Sequence, residues 1–266
     1  MEFEKITRKD LPEIRTLQPD DWGDIIPDME FYLRYPFCNP IKATLNGQIV
    51  GIGTSILFEG TAWLAHIIVG ASFRNEGIGG EMVHHLLETV REKSIETCLL
   101  IATEPGKPVY LKAGFNIVCE YQFFQREKPW TNCMLSENIV LFDEQYRSNL
   151  YELDKKMSGE NRISLLTDYL SNSILYLEND FVSGYYIPDL KEGLIVADTI
   201  QAGLELMKLK YTTVDKAVLP SGNIAGCQFL LEHGFIQTKT GTRMVYGKNT
   251  DWKPMMVFSR IGGNLG

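Results

Sequence analysis

The segment Ile67-Ile68-Val69-Gly70-Ala71-Ser72-Phe73-Arg74-Asn75-Glu76-Gly77-Ile78-Gly79-Gly80 sets an apolar run, a polar turn and closely spaced glycines ahead of an amphipathic stretch. Glycines at a helix start leave its unpaired N–H groups open, so a diphosphate can approach and accept backbone hydrogen bonds at the positive end of the helix dipole. Arg74 adds a formal positive charge to the same turn. The Lys-Ser/Thr of a Walker loop is missing. The Arg-x-x-Gly-x-Gly order is also not that of a dinucleotide-binding Rossmann turn.

These residues need elements to hold them. Phe3–Thr7 alternates as a strand does, and Asp10-Leu11-Pro12 opens a helix. Asn46-Gly47 and Glu59-Gly60 separate three strand-like runs, 41–45, 48–58 and 63–69, which predicts an antiparallel meander. After Gly79, the residues Met82, Val83, Leu86, Leu87 and Val90 fall at helical spacing. Thr97–Ala102 reads as a strand, Lys107–Lys112 as a short helix ended by Ala113-Gly114, and 115–126 as one or two closing strands.

Val109-Tyr110-Leu111-Lys112-Ala113-Gly114-Phe115 is echoed by Phe229-Leu230-Leu231-Glu232-His233-Gly234-Phe235, about half the chain further on, and the helix after Gly79 is echoed more weakly by Thr199–Met207. Two related α/β domains follow: residues 1–135, a linker at 136–150, and residues 151–266. A length of 266 residues suits two domains. The formal net charge of −8 and a pI near 5.1 argue against nucleic acid or an anionic membrane surface as partner. Apolar runs are too short to cross a bilayer and no leader pattern opens the chain, so a cytoplasmic protein is expected. The five scattered cysteines, with no Cys-x-x-Cys pair and no clustered histidines, predict reduced thiols and no metal site.

Arg74-Asn75-Glu76-Gly77-Ile78-Gly79 behind an apolar strand resembles the Gln/Arg-x-x-Gly-x-Gly/Ala motif of the GNAT superfamily, the acetyl-CoA-dependent N-acetyltransferases. Tyr110, four residues before Gly114-Phe115, resembles the family's later signature. The resemblance covers roughly residues 1 to 130. Leu153-Asp154, Gly159, Arg162, Ser183-Gly184-Tyr185, Asn223-x-Ala225, Gly234-Phe235 and Arg243-Met244 resemble a degenerate C-terminal GNAT-like module. That half lacks the Arg-x-x-Gly-x-Gly motif and has Leu230 where the first half has Tyr110. The implied fold class is α/β (an α+β mixed sheet): tandem GNAT-like domains, each with a central, mostly antiparallel sheet, one splayed parallel strand pair and flanking helices.

The resemblance implies acetyl-CoA as acyl donor, its pantetheine arm along Ile67, Ile68 and Val69 and its diphosphate over Arg74, Asn75, Glu76, Gly77, Ile78, Gly79 and Gly80. It implies direct attack by a primary amine, an oxyanion held by a backbone N–H near Ile67 or Ile68, and Tyr110 as general acid. For the base, His66 and Glu104 are both candidates, and water is a third, because the family's frequent carboxylate is absent from Thr61-Ala62-Trp63-Leu64. Trp22, Tyr32, Tyr35 and Phe37 with Asp20, Asp21, Asp24 and Asp28 suit a cationic amine, and Tyr185-Tyr186 is a further candidate for the same cleft. Met255–Phe258 reads as a terminal strand. The expected acceptor is a small-molecule or peptide amine and the expected state a monomer or homodimer. The alternatives are a non-catalytic acyl-CoA-binding or regulatory protein and a transferase of a longer acyl group.

Overall fold

The computed structural model describes residues 1–20, 22–128, 130 and 134–266; Asp21 and Cys133 lie outside the described residues. The chain divides into two compact units, Met1–Asn116 with Met244–Lys248, and Ile117–Arg243 with Asn249–Gly266. This differs from a boundary near residue 135. The residues expected to be a linker instead carry a short strand, Ile139–Leu141, and the start of a helix.

The first unit runs β1 (Glu2–Lys5), α1 (Leu11–Arg15), α2 (Ile26–Arg34), β2 (Cys38–Leu45), β3 (Gln48–Leu57), β4 (Thr61–Val69), α3 (Ile78–Glu92), β5 (Thr97–Ala102) and α4 (Lys107–Lys112). β1 to β4 form an antiparallel meander, with turns at Asn46-Gly47 and Glu59-Gly60 as the turn residues predict. β4 then pairs with β5 in parallel, and only over Thr61–Trp63 against Thr97–Leu99.

The apolar face of α3 buries Met82, Val83, Leu86, Leu87 and Val90. Each such side chain contributes ~1.5–3 kcal/mol on leaving water. α3 approaches β3 closely because that strand is glycine-rich: a Cβ at Gly51 would stand 2.7 Å from Met82 Sδ, and one at Gly53 2.9 Å from Leu86 Cδ1.

The second unit contains β6 (Asn116–Gln125, whose first residue is counted with the first unit), β7 (Ile139–Leu141), α5 (Arg147–Ser158), α6 (Ile163–Leu166), β8 (Ile174–Glu178), β9 (Phe181–Ile187), β10 (Leu194–Ala197), α7 (Ile200–Tyr211), β11 (Lys216–Pro220), α8 (Ile224–Glu232), β12 (Ile236–Gly247, its last residues counted with the first unit) and β13 (Val257–Ser259). β13-β10-β9-β8-β7 make a five-stranded sheet, and β11 pairs with β6. Leu206, Met207, Tyr211, Leu219, Leu230, Phe235 and Phe258 are fully buried in its core. Met255 and Met256 form a 3-10 turn ahead of β13, so the terminal strand begins later than expected.

No helix among the described residues is long and apolar enough to cross a membrane. Cys98, Cys119 and Cys227 are free thiols.

Candidate active site

The ladder between β4 and β5 stops at Trp63–Leu99, so from Leu64 onward the strands diverge and the β5-facing edge of β4 has no strand partner. The other edge is irregular as well. Ile68 faces Ile52 and Ala65 faces Thr54, which leaves His66 and Ile67 opposite Gly53 alone. This is a bulge, and His66 occupies the left-handed region at φ 47°. A bulge re-aims a side chain and frees backbone groups from pairing; here both effects fall beside the opening.

The opening is a cleft of about 740 Å³. One wall is Ile67, Ile68 and Val69 on β4, and the floor of the loop is Arg74, Asn75, Gly77, Ile78, Gly79 and Gly80. Gly77, immediately before α3, is in a left-handed conformation (φ 86°), and no side chain caps the helix. No protein atom lies within 4 Å of where a Cβ would stand on Gly77 or Gly80, and at Gly79 only Val69 Cγ2 comes near, at 3.7 Å. Gly80 has neither a positive φ nor a crowding neighbour. The protein's own packing therefore does not demand that glycine. Arg74 Nε donates to Val69 O at 3.2 Å, closing the turn.

The facing wall comes from the β5–α4 connection and α4: Thr103, Pro105, Gly106, Val109, Tyr110 and Lys112. Tyr110 sits one helical turn after Gly106, its ring set edge-to-face on Phe115 at 5.9 Å. Burial pushes its phenol up from 10.0 to about 12, so it stays protonated across the physiological range.

Residues 8–115 match the family described as Acetyltransferase (GNAT) family. They form a GNAT acetyltransferase domain. No curated protein matches the chain. Among solved structures, a protein of Pyrococcus horikoshii assigned as an acetyltransferase has a TM-score of 0.81 at 20% identity, covering 99% of this chain and 95% of that one. A GCN5-related N-acetyltransferase from Sphaerobacter thermophilus gives 0.65 at 13% identity, covering 92% and 95%. A glucosamine N-acetyltransferase region of a fungal multi-domain β-N-acetylglucosaminidase gives 0.69 at 12% identity, covering 92% of this chain and 38% of that one. At these identities the likeness is one of fold.

Within the GNAT domain, the cleft brings together Ile67–Val69, Arg74, Asn75, Gly77–Gly80 and Tyr110, but not Glu76, which is exposed on the outer side of the turn. Glu104 also stays outside: its side chain is 70% exposed and its nearest cation is Lys107 at 3.8 Å. His66 does not line the cleft, yet it touches Trp22, which does.

The acidic and aromatic cluster divides. Tyr32 and Asp28 meet the His66 ring, Asp24 pairs with Arg15, and Tyr35 and Phe37 stack on each other next to Phe58. Tyr185 and Tyr186 are buried within the second unit, the former donating to Asp154 and the latter beneath Lys210.

Sequence reasoning missed Lys112 and Thr103 as cleft residues and missed the Tyr32–His66 contact. The first two lie next to the Tyr110 motif and were within reach. The third joins positions 34 apart in sequence and leaves no local signal.

Proposed function

We propose that this protein transfers acetyl from acetyl-CoA to the primary amine of a small molecule or peptide. The observation that carries the reading is the convergence, on one cleft of the GNAT domain, of the open β4 edge with its bulge, the uncapped glycine start of α3, and the protonated phenol of Tyr110.

The residues present fit the donor. Gly77, Gly79 and Gly80 keep the first turn of α3 bare of side chains, so a diphosphate can approach the N–H groups of Ile78 and Gly79, with Gly80 N–H bonded to Gly77 O and Arg74 and Lys112 as neighbouring cations. Backbone groups along Ile67–Val69 offer a strand edge to an extended amide-bearing arm. Acetyl-CoA supplies a thioester whose C–S bond breaks as the amine nitrogen forms the new C–N bond.

The chain's own residues have separate parts in that exchange. A backbone N–H of the Ile67–Ile68 segment, loosened from β3 by the bulge, stabilises negative charge on the acyl oxygen. Tyr110 holds its proton at neutral pH and delivers it to the departing thiolate sulfur. Trp22 and Pro19 also line the cleft.

The test is thermal unfolding with and without acetyl-CoA, with ATP and NAD as controls, followed by an amine screen. At 100 times the dissociation constant the donor adds about 2.7 kcal/mol to stability, a clear upward shift in Tm. Gly79→Ala keeps the shift, since a Cβ there meets Val69 at an ordinary distance, whereas Gly79→Trp fills the cleft and abolishes it. No shift with acetyl-, propionyl- or succinyl-CoA would reduce the glycine loop to a turn and remove the basis for the reading.

A further inference from the structure

We propose that His66 takes the proton from the acceptor amine, and that Tyr32 and Asp28 position it for that step. The inference rests on the acetyl-transfer reading and supplies its acceptor half. It starts from an arrangement that donor binding does not explain. His66 is turned out of strand alternation by its left-handed backbone at the β4 bulge. Its ring is then met from α2 on both nitrogens: Tyr32 Oη lies 2.7 Å from Nδ1, and Asp28 Oδ2 lies 3.5 Å from Nε2. Trp22, itself a cleft residue, meets the ring edge-on at 5.9 Å.

An alkylammonium cannot attack until its nitrogen has released a proton. The two contacts on the ring are unequal. Nδ1 and Tyr32 Oη are at full hydrogen-bonding distance, with Tyr32 buried and unable to swing away. The base role requires the tautomer in which Nδ1–H donates to Tyr32 Oη and the lone pair is on Nε2. The 3.5 Å from Nε2 to Asp28 is long for a hydrogen bond but close for an ion pair, which suits a nitrogen that receives its proton from outside.

The proton passes from R–NH3⁺ to Nε2, and the amine keeps the electron pair that becomes the C–N bond. Asp28 then faces an imidazolium. The His66 side chain is 13% exposed and that of Asp28 30%, so the carboxylate also presents charge to an incoming cationic amine. The titratable groups that meet the ring among the described residues are these two, both on α2; the preceding loop contributes uncharged Trp22, and β3 contributes Gly53, which has no side chain.

The experiment measures kcat and KM from pH 5.5 to 10 with 1,4-diaminobutane and acetyl-CoA, reading thiol release. His66→Asn suits the left-handed backbone. It should lower kcat at pH 7 by about 10²–10³-fold with the KM for acetyl-CoA unchanged. Its rate should recover only as the medium itself deprotonates the amine. Asp28→Asn should raise the amine KM, and Tyr32→Phe should lower kcat while leaving both KM values in place. A His66→Asn enzyme with the wild-type pH profile and kcat overturns the proposal.

The nitrogen-15 signals of the His66 ring, identified by their loss in His66→Asn, give an independent reading. An Nδ1–H tautomer supports the assignment and an Nε2–H tautomer overturns it, whether or not the diamine is acetylated. Failure of the acetyl-transfer reading would show separately, as a wild-type protein with no acetyl-CoA thermal shift.

Discussion

Replacing Tyr110 by phenylalanine removes one oxygen and leaves the rest of the wall in place. The edge-to-face contact with Phe115, centroids 5.9 Å apart, is a property of the rings and survives. If the phenol protonates the leaving thiolate, its loss costs about 10²–10⁴ in kcat, or about 2.7–5.4 kcal/mol of transition-state stabilisation, with donor binding unchanged. The same burial that keeps the phenol protonated gives a second readout with a defined sign. The folded protein holds this proton up to about 12, whereas the unfolded chain releases it near 10.0. Between those values the unfolded state binds fewer protons, so stability is fully present below pH 10 and falls as pH rises through the window, by about 2.7 kcal/mol in all. Tyr110→Phe has no such loss. Urea unfolding at pH 8 and pH 11 should therefore show the variant gaining on the wild type by about 1 kcal/mol at the higher pH, alongside steady-state kinetics at pH 8. A variant with kcat within threefold of wild type and an intact acetyl-CoA thermal shift would refute the acid role; equal alkaline sensitivity would refute the burial argument behind it.

Two further outcomes concern stability. Asp154 accepts from buried Arg162 at 2.5 and 3.2 Å and from Tyr185, so Asp154→Asn leaves a buried guanidinium without its counter-charge and should cost about 3–5 kcal/mol in urea unfolding; a loss below 1 kcal/mol would mean that buried Glu160 neutralises Arg162 unaided. In the first unit, burial raises the Asp10 carboxyl, but hydrogen bonds from Lys42 and Thr7 outweigh it and hold the group below its usual 3.8, so the pair's contribution is present above that pH and lost as pH falls through the folded value. Lys42→Met should accordingly be less sensitive than wild type to acidification below about pH 4, by about 1 kcal/mol, and identical acid transitions would show that Thr7 alone sets the carboxyl.

The elements of the first unit were legible because each rests on local chemistry: Asn46-Gly47 makes a hairpin wherever two strands flank it, and the spacing Met82, Leu86, Val90 is helical whatever it packs on. The cleft's glycine loop and Tyr110 were legible for the same reason. The bulge was not. Val69 and Thr61 bound an ordinary apolar run, and that His66 adopts a left-handed conformation depends on its register against Gly53, a relation between two strands. The unit boundary fails in the same way, since Met244–Lys248 belongs with the first unit through contacts such as Lys248 N to Glu96 O at 3.0 Å, far away in sequence.

The starts of α3 and α7, which echo each other in sequence, are built differently. α3 starts on bare glycines with no side-chain cap, and β4 beside it parts from its neighbour. α7, its echo, starts at Thr199, whose hydroxyl accepts from Ala202 N at 3.2 Å, whereas at the start of α3 the matching amide, Gly80 N, bonds to the backbone Gly77 O and no side chain covers the turn. The strand beside β10 is β13, antiparallel, and it fills the place that lies open next to β4. Phe258 of that strand packs so closely on α7 that a Cβ at Gly203 would stand 2.1 Å from its ring. The glycine of α7 thus makes room for the protein's own phenylalanine, whereas Gly80 of α3 has no protein atom to make room for. The space beside each glycine separates the two cases where the sequence pattern alone does not: Phe258 requires Gly203, whereas no protein atom requires Gly80 in the wall of the cleft.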